Sequence, residues 1–244
     1  MESHHQNYLE VKDLNVEFKT EHGKLTAVNR VSFSLGRGEV LGLVGESACG
    51  KSMTALSILR LLPPGGRITG GGVSLEGINL FKLSREKMRR IRGKRIAMIF
   101  QDPNATLNPV RIIGTQFVET LKTHLPLGRE KARYRAMDML SAMGLASPEG
   151  IMRKYPFQLS GGMRQRVMIA MALALEPDIL IADEPTTALD VTVQAQILSE
   201  MRRLKKDFGT GILLISHNMG VIAQLSDRVA VMYAGSIVEY GLAE

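Results

Sequence analysis

The chain has 244 residues, 45% of them apolar and 23% charged, which excludes a disordered chain and allows one large domain or two small ones with a full core. Its formal charge is +7, yet Lys82–Arg95 alone holds eight basic residues and one acid, so the rest of the chain sums to zero. The basic excess is local, which argues against a nucleic-acid footprint over the whole surface. A single cysteine rules out an internal disulfide framework and a cysteine-ligated cluster. The longest apolar run, Val167–Leu175, has nine residues, well short of the about 18 that a membrane span needs. The N-terminus shows no apolar secretory region. His4 and His5 are too few for a metal site.

In chain order, Leu9–Phe18 and Val28–Leu35 alternate apolar and polar residues, as half-buried strands do. Glu39–Val44 is a short apolar run before a glycine-rich turn. Ser52–Leu62 reads as a helix stopped by Pro63-Pro64-Gly65-Gly66. Gly72–Leu80 suits a hairpin around Gly77, and Ser84 can cap a short helix that ends at Gly93. Arg95–Gln101 is a strand and Asp102–Pro109 a loop. Thr115–Leu125 and Arg129–Gly144 are predicted helices; in the second, Ala132, Ala136, Met139, Leu140 and Met143 fall at helical spacing. No strand is expected between residues 104 and 160. An all-helical insert thus interrupts an alternation of strand and helix. The alternation resumes with a helix over Met163–Leu175 and a buried strand over Ile179–Ala182. Val193, Ile197, Met201, Leu204 and Phe208 mark an amphipathic helix. Strands follow at Ile212–Ile215, Val229–Tyr233 and Ser236–Tyr240. This order predicts an α/β fold whose parallel sheet is covered on both faces.

Three segments carry chemistry. Gly45-Glu46-Ser47-Ala48-Cys49-Gly50-Lys51-Ser52 follows a predicted strand and opens a predicted helix, the setting in which G-x-x-x-x-G-K-[ST] cradles phosphates. Small residues let backbone N–H groups point inward, and the helix N-terminus adds positive potential. Lys51 would reach the β- and γ-phosphates and Ser52 would ligate Mg²⁺. Ile179-Leu180-Ile181-Ala182-Asp183-Glu184 is a buried strand ending in two acids, at the edge of the sheet where open α/β sheets bind ligands. Asp183 suits Mg²⁺, and Glu184 suits a general base acting on water. In Leu159-Ser160-Gly161-Gly162-Met163-Arg164-Gln165-Arg166, a serine and two glycines precede a helix and offer a second anion site. It could be no more than a capped helix. One phosphate loop is already present, so this second site could serve another subunit's nucleotide.

With these residues in place the sequence resembles the ATP-binding-cassette (ABC) ATPases over nearly its whole length. The phosphate loop, Gln101 after a strand, Leu159–Gln165, Asp183–Glu184, Ala188-Leu189-Asp190 and His217 occur in family order. The resemblance implies a P-loop NTPase, RecA-like core with an antiparallel β subdomain and an all-helical subdomain insert. Residues 1–103 would hold the first part of the core, 104–160 the helical subdomain, and 161–244 the second part. It also implies that two subunits sandwich two ATP molecules with Mg²⁺. Ser160, Gly161, Gly162 and Gln165 would then belong to the site completed by the partner. Asp190 would bridge the two sites and His217 would contact the γ-phosphate. Gln101 would sense Mg²⁺ and couple to the helical insert, and Met53 would continue the phosphate loop. Phe18 stands where the family stacks an aromatic on adenine, although a core strand residue fits it equally well.

The segments Gln101–Pro109, Glu184–Ile197 and Val229–Gly235 resemble the dipeptide, oligopeptide and nickel importer branch in particular. That resemblance implies a second ATPase, the same or related, and two integral-membrane permease subunits. It further implies an extracytoplasmic binding protein, residence at the cytoplasmic face of the inner membrane, and no nucleic-acid partner. The alternative is a soluble ABC ATPase acting in DNA repair or translation. In that branch an ATPase usually continues past the point where this sequence ends, Glu244. Ala48 stands where the family has glycine. If the position takes positive φ, alanine costs about 1 kcal/mol or more and weakens nucleotide binding. Cys49 sits at a helix start, a position that can activate a thiol, although an inert small filler fits it equally well. Asn218 replaces an aspartate often found after the histidine, with a minor effect expected.

Overall fold

The computed structural model describes residues 7–21, 23–103, 106–187 and 189–243, so His4, His5, Asn104, Ala105 and Ala188 lie outside the described residues. Two sheets organise it. An antiparallel sheet in the order β2-β1-β4-β5 is made by β1 (Leu9–Thr20), β2 (Gly23–Leu35), β4 (Gly66–Leu75) and β5 (Ile78–Asn79). The second sheet has the order β10-β9-β3-β8-β7-β6, from β3 (Val40–Val44), β6 (Ile96–Ile99), β7 (Ile179–Asp183), β8 (Gly211–Ile215), β9 (Arg228–Tyr233) and β10 (Ser236–Leu242). Its strands run parallel except β10, which pairs antiparallel with β9.

Alternation along the parallel strands sorts two cores. Val40, Val44, Ala97, Ile99, Leu180, Ala182, Ile212 and Leu214 face one cluster. Leu41, Leu43, Ile96, Met98, Ile179, Ile181, Leu213 and Ile215 face the other. The period of two in a doubly covered sheet produces this division. The first cluster is continuous with the apolar faces of α3 (Ile113–His124), α4 (Arg129–Ala142), α5 (Pro148–Met152), α6 (Gly161–Leu173) and α7 (Val191–Phe208), through Phe117, Leu121, Ala136, Leu140, Val167 and Leu198. The second joins the parallel sheet to the antiparallel one through Leu9, Val11, Val31, Leu35 and Val73, with α1 (Lys51–Ile58) between them contributing Ala55 and Ile58.

Among the described residues between 106 and 160 there is no strand, as the sequence predicts. Two short helices, α5 and α8 (Met219–Leu225), were not expected from periodicity, which such short segments barely express. The first helix is shorter than predicted. It ends at Ile58 because Arg60 takes φ of 53° and Leu61 N–H donates to Leu56 O at 2.8 Å. This is a Schellman ending without its usual glycine. Arg92, on the turn after α2 (Arg85–Ile91), covers that end: its Nε and Nη2 donate to Leu59 O at 2.9 and 2.7 Å. Arg95 bonds Asp178, Tyr8 and Glu76. Two of the eight basic residues of Lys82–Arg95 are thus structural, while Lys82, Arg85, Lys87, Arg89, Arg90 and Lys94 are exposed.

Candidate active site

Neighbouring strands of the parallel sheet run β3-β8-β7-β6 and end at one edge. Strands lie about 4.8 Å apart, so the segments leaving their C-terminal ends must meet. β3 delivers the phosphate loop, β8 delivers His217, β7 ends on Asp183 before Glu184, and β6 is followed by Phe100 and Gln101. Four motifs far apart in sequence are brought together by strand order alone.

The phosphate loop is a run of unusual backbone. Gly45 has φ of 152°, and a Cβ there would lie 2.1 Å from Met232 O. Gly50 has φ of 108°, and a Cβ would lie 2.4 Å from Ala27 O. No other residue fits either position. The loop is braced from outside by the tight Ala234-Gly235 turn between β9 and β10: Gly235 N–H donates to Cys49 O at 2.9 Å, and Asn29 N–H donates to Gly235 O at 2.8 Å. This brace gives a role to the Val229–Gly235 segment that the sequence could only mark as branch-specific. Lys51, nearly buried, donates from Nζ to Gly45 O and Glu46 O, each at 2.7 Å, and to Cys49 Sγ at 3.6 Å. Cys49 itself is buried.

Ala48 has φ of 63°, so the condition set by its departure from glycine holds. An L-residue there carries roughly 1 kcal/mol of strain. Ala48→Gly is expected to raise the melting midpoint by about 2–4 °C in a chain of this size and to tighten ATP binding. Calorimetric melting and nucleotide titration check it, and no change in either would show that Ala48 is not strained.

Asp183 is 3% exposed. Burial pushes its carboxyl above the ordinary aspartate range, opposed by a hydrogen bond with Ser52; Glu184 adds to the rise and Lys51 offsets it. Its Oδ1 is buried with no partner. An orphaned carboxylate oxygen beside a serine hydroxyl, with phosphate-binding backbone close by, is a donor set that fits a hard divalent cation.

Glu184 is fixed from three directions. Its Oε1 accepts from His217 N–H at 3.0 Å and lies 2.7 Å from His217 Nδ1, while its Oε2 accepts from Thr187 Oγ1 at 2.9 Å. Its own φ is 49°, a strained value for a side chain of this size. Thr187 lies in the Glu184–Ile197 segment that the resemblance marks, yet nothing in the sequence ties its hydroxyl to the Glu184 carboxylate. Asn218 caps α8, its Oδ1 accepting from Gly220 N–H at 2.9 Å. Asparagine and aspartate are nearly equal as caps, so the cap itself does not require an aspartate here.

The remaining predicted residues fall into two groups. Ser160 caps α6, accepting from Met163 N–H at 3.3 Å, and Gly161 has open space where a side chain would project. Asp190 is exposed and caps α7, accepting from Val193 N–H at 2.9 Å. These face outward, as do Gln101 and, in part, Ser52 and Met53. Gln165 does not: it is 4% exposed, and its Nε2 donates to Pro185 O of the same chain at 2.7 Å. It is built into the chain's interior. Phe18 is half-buried in β1 with its ring on Gly66, where a Cβ would come within 2.8 Å of it.

A phosphate loop, a desolvated aspartate and a pinned glutamate at the carboxyl edge of a parallel sheet define a P-loop nucleotide-binding α/β protein. The sequence profile of the ABC transporter family matches residues 28–187, and the chain belongs to that family. The oligopeptide transport ATP-binding protein OppD of Bacillus subtilis is 51% identical over 96% of this chain and 65% of its own length. The probable D,D-dipeptide transport ATP-binding protein DdpD of Escherichia coli is 48% identical over 97% of this chain and 73% of its own. The chain thus spans about two thirds of the length of such relatives. Among solved structures, the cassette MJ0796 in a dimeric post-hydrolysis state bound to ADP and Pi superposes with a TM-score of 0.88 at 26% identity, covering 97% of this chain and 99% of that one. The ABC cassette fold expected from the resemblance is therefore the observed one.

Proposed function

We propose that this chain is the ATP-hydrolysing subunit of a peptide importer. The observation that carries the reading is Glu184, held by His217 and Thr187 at the end of β7, on the edge where the phosphate loop leaves β3. A carboxylate so fixed can accept a proton from water while that water attacks the γ-phosphate, and Lys51 with the loop N–H groups holds the phosphates. His217 shares its Nδ1 with Glu184, so the base and the histidine act as one unit. Asp183 and Ser52 would hold Mg²⁺, with Gln101 at the rim, and the ion when bound neutralises charge on the phosphates. Much of the rate comes from positioning and electrostatics.

Two cassettes would close around two ATP molecules, with Ser160, Gly161 and Gly162 of each facing the other's γ-phosphate and Asp190 at the seam. The dimeric relative MJ0796 supports this arrangement. A cavity of about 510 Å³ runs between the β6 edge and the helical segment, lined by Phe100, Thr106, Gln116, His124 and Met168. It lies next to Gln101 and would receive the permease. No helix among the described residues is long and apolar enough to cross a membrane. In the importer reading the permease would be separate chains, with this subunit peripheral at the cytoplasmic face. The residue ranges 1–103, 104–160 and 161–244 remain our proposed division into core, helical subdomain and core. The relatives' names favour di- and oligopeptides over nickel as cargo.

The test is mass spectrometry of what copurifies with tagged Glu184→Gln protein, trapped with Mg·ATP in detergent. Two integral-membrane proteins and a second cassette are expected. Ribosomal or DNA-bound proteins, or no membrane protein, would instead support the soluble repair or translation reading.

A further inference from the structure

Glu184–Asp190 is gripped at both ends by the helix that begins with Ser160. Near the middle of that helix, Gln165 Nε2 donates to Pro185 O at 2.7 Å, with both groups out of solvent. At its start, a Cβ on Gly162 would lie 3.3 Å from Leu189 Cδ2. Between these contacts the segment is tied into two tight turns, Thr187 N–H to Glu184 O at 3.4 Å and Leu189 N–H to Thr186 O at 3.2 Å. The Thr187 hydroxyl then fastens the turn to the Glu184 carboxylate. Pro185 directly follows Glu184, so a displacement of α6 at Gln165 bears on the base of the same chain through one peptide unit.

Resting on the two-cassette reading, we propose that Gln165 is a positioning residue for Glu184. It transmits occupancy at Ser160–Gly162, which answer to the partner's nucleotide, to this chain's own base. Each cassette then completes its own site only after it has contributed to the other one. A hydrogen bond shielded from water is costly to break, and a base displaced by about an ångström loses much of its effect.

The experiment uses the assembly purified through a tag on this chain, with Gln165→Glu as the variant. Its carboxylate has no proton to give Pro185 O. We expect kcat to fall about 10- to 100-fold while the ATP KM stays within about two-fold and the Hill coefficient for ATP drops to one. Gln165→His, which keeps a neutral N–H donor, is expected to recover part of the loss. Should the glutamate variant not fold, Gln165→Leu is read in the same way. A kcat within about two-fold of the parent, or a loss of ATP affinity matching the loss of kcat, overturns the proposal. If Glu184→Gln protein with Mg·ATP pairs with no cassette on size exclusion, the two-cassette reading itself has failed, and that outcome is separate from any result at Gln165.

Discussion

Glu184→Gln is expected to lower ATP hydrolysis by about 10²- to 10⁴-fold, the range over which a general base contributes. ATP affinity should stay within a few-fold. The substitution is close to isosteric, and the contacts survive it. The amide oxygen can still accept from His217 N–H and Nδ1, and the amide nitrogen can donate to Thr187 Oγ1, whose hydroxyl rotates freely. Only the basicity is lost, so the strained turn at φ 49° should persist. Single-turnover hydrolysis and equilibrium nucleotide binding, measured on one preparation, separate the two effects. Retention of turnover within about ten-fold would take the base role from Glu184.

Much of this site is legible in the sequence because its parts are local. The phosphate loop and Asp183–Glu184 announce themselves through residue types that no packing role requires in that order. The strands were legible for the same reason: Ile179–Ala182 and Ile212–Ile215 are continuous apolar runs, which only a doubly covered sheet demands. What stayed hidden is non-local. Nothing in the sequence places Met232 O against Gly45, or Gly235 against Cys49 O; those contacts follow from β9 pairing beside β3. The resemblance assigns Gln165 to the site completed by the partner, whereas its helix turns it inward onto Pro185. Being four residues beyond Gly161, it begins the second turn of α6, where the buried face is set by the sheet beneath. The end of the first helix was missed because Arg60 adopts the left-handed conformation in place of a glycine, held there by a guanidinium donated from Arg92.

Asp183→Asn should uncouple stability from function. The carboxyl is buried, its Oδ1 has no partner, and desolvation already raises it above the usual aspartate range. A raised carboxyl binds its proton more tightly folded than unfolded. Stability is therefore highest below the unfolded value and is lost as pH rises through the raised folded value. At neutral pH the ionised carboxylate is a net cost to the nucleotide-free protein, and a neutral amide removes it. Thermal melting without nucleotide should show Asp183→Asn more stable by about 2–4 °C, the shift that roughly 1 kcal/mol produces at this size. Hydrolysis should fall by about 10²-fold or more, since a hard cation loses its anionic oxygen. The same sign governs the parent protein: protons compete with Mg²⁺ for this oxygen, so the Mg²⁺ concentration for half-maximal hydrolysis should climb as pH drops, while Asp183→Asn shows no such climb. Destabilisation by Asp183→Asn would mean that the carboxylate is satisfied in the fold and that the cation site lies elsewhere.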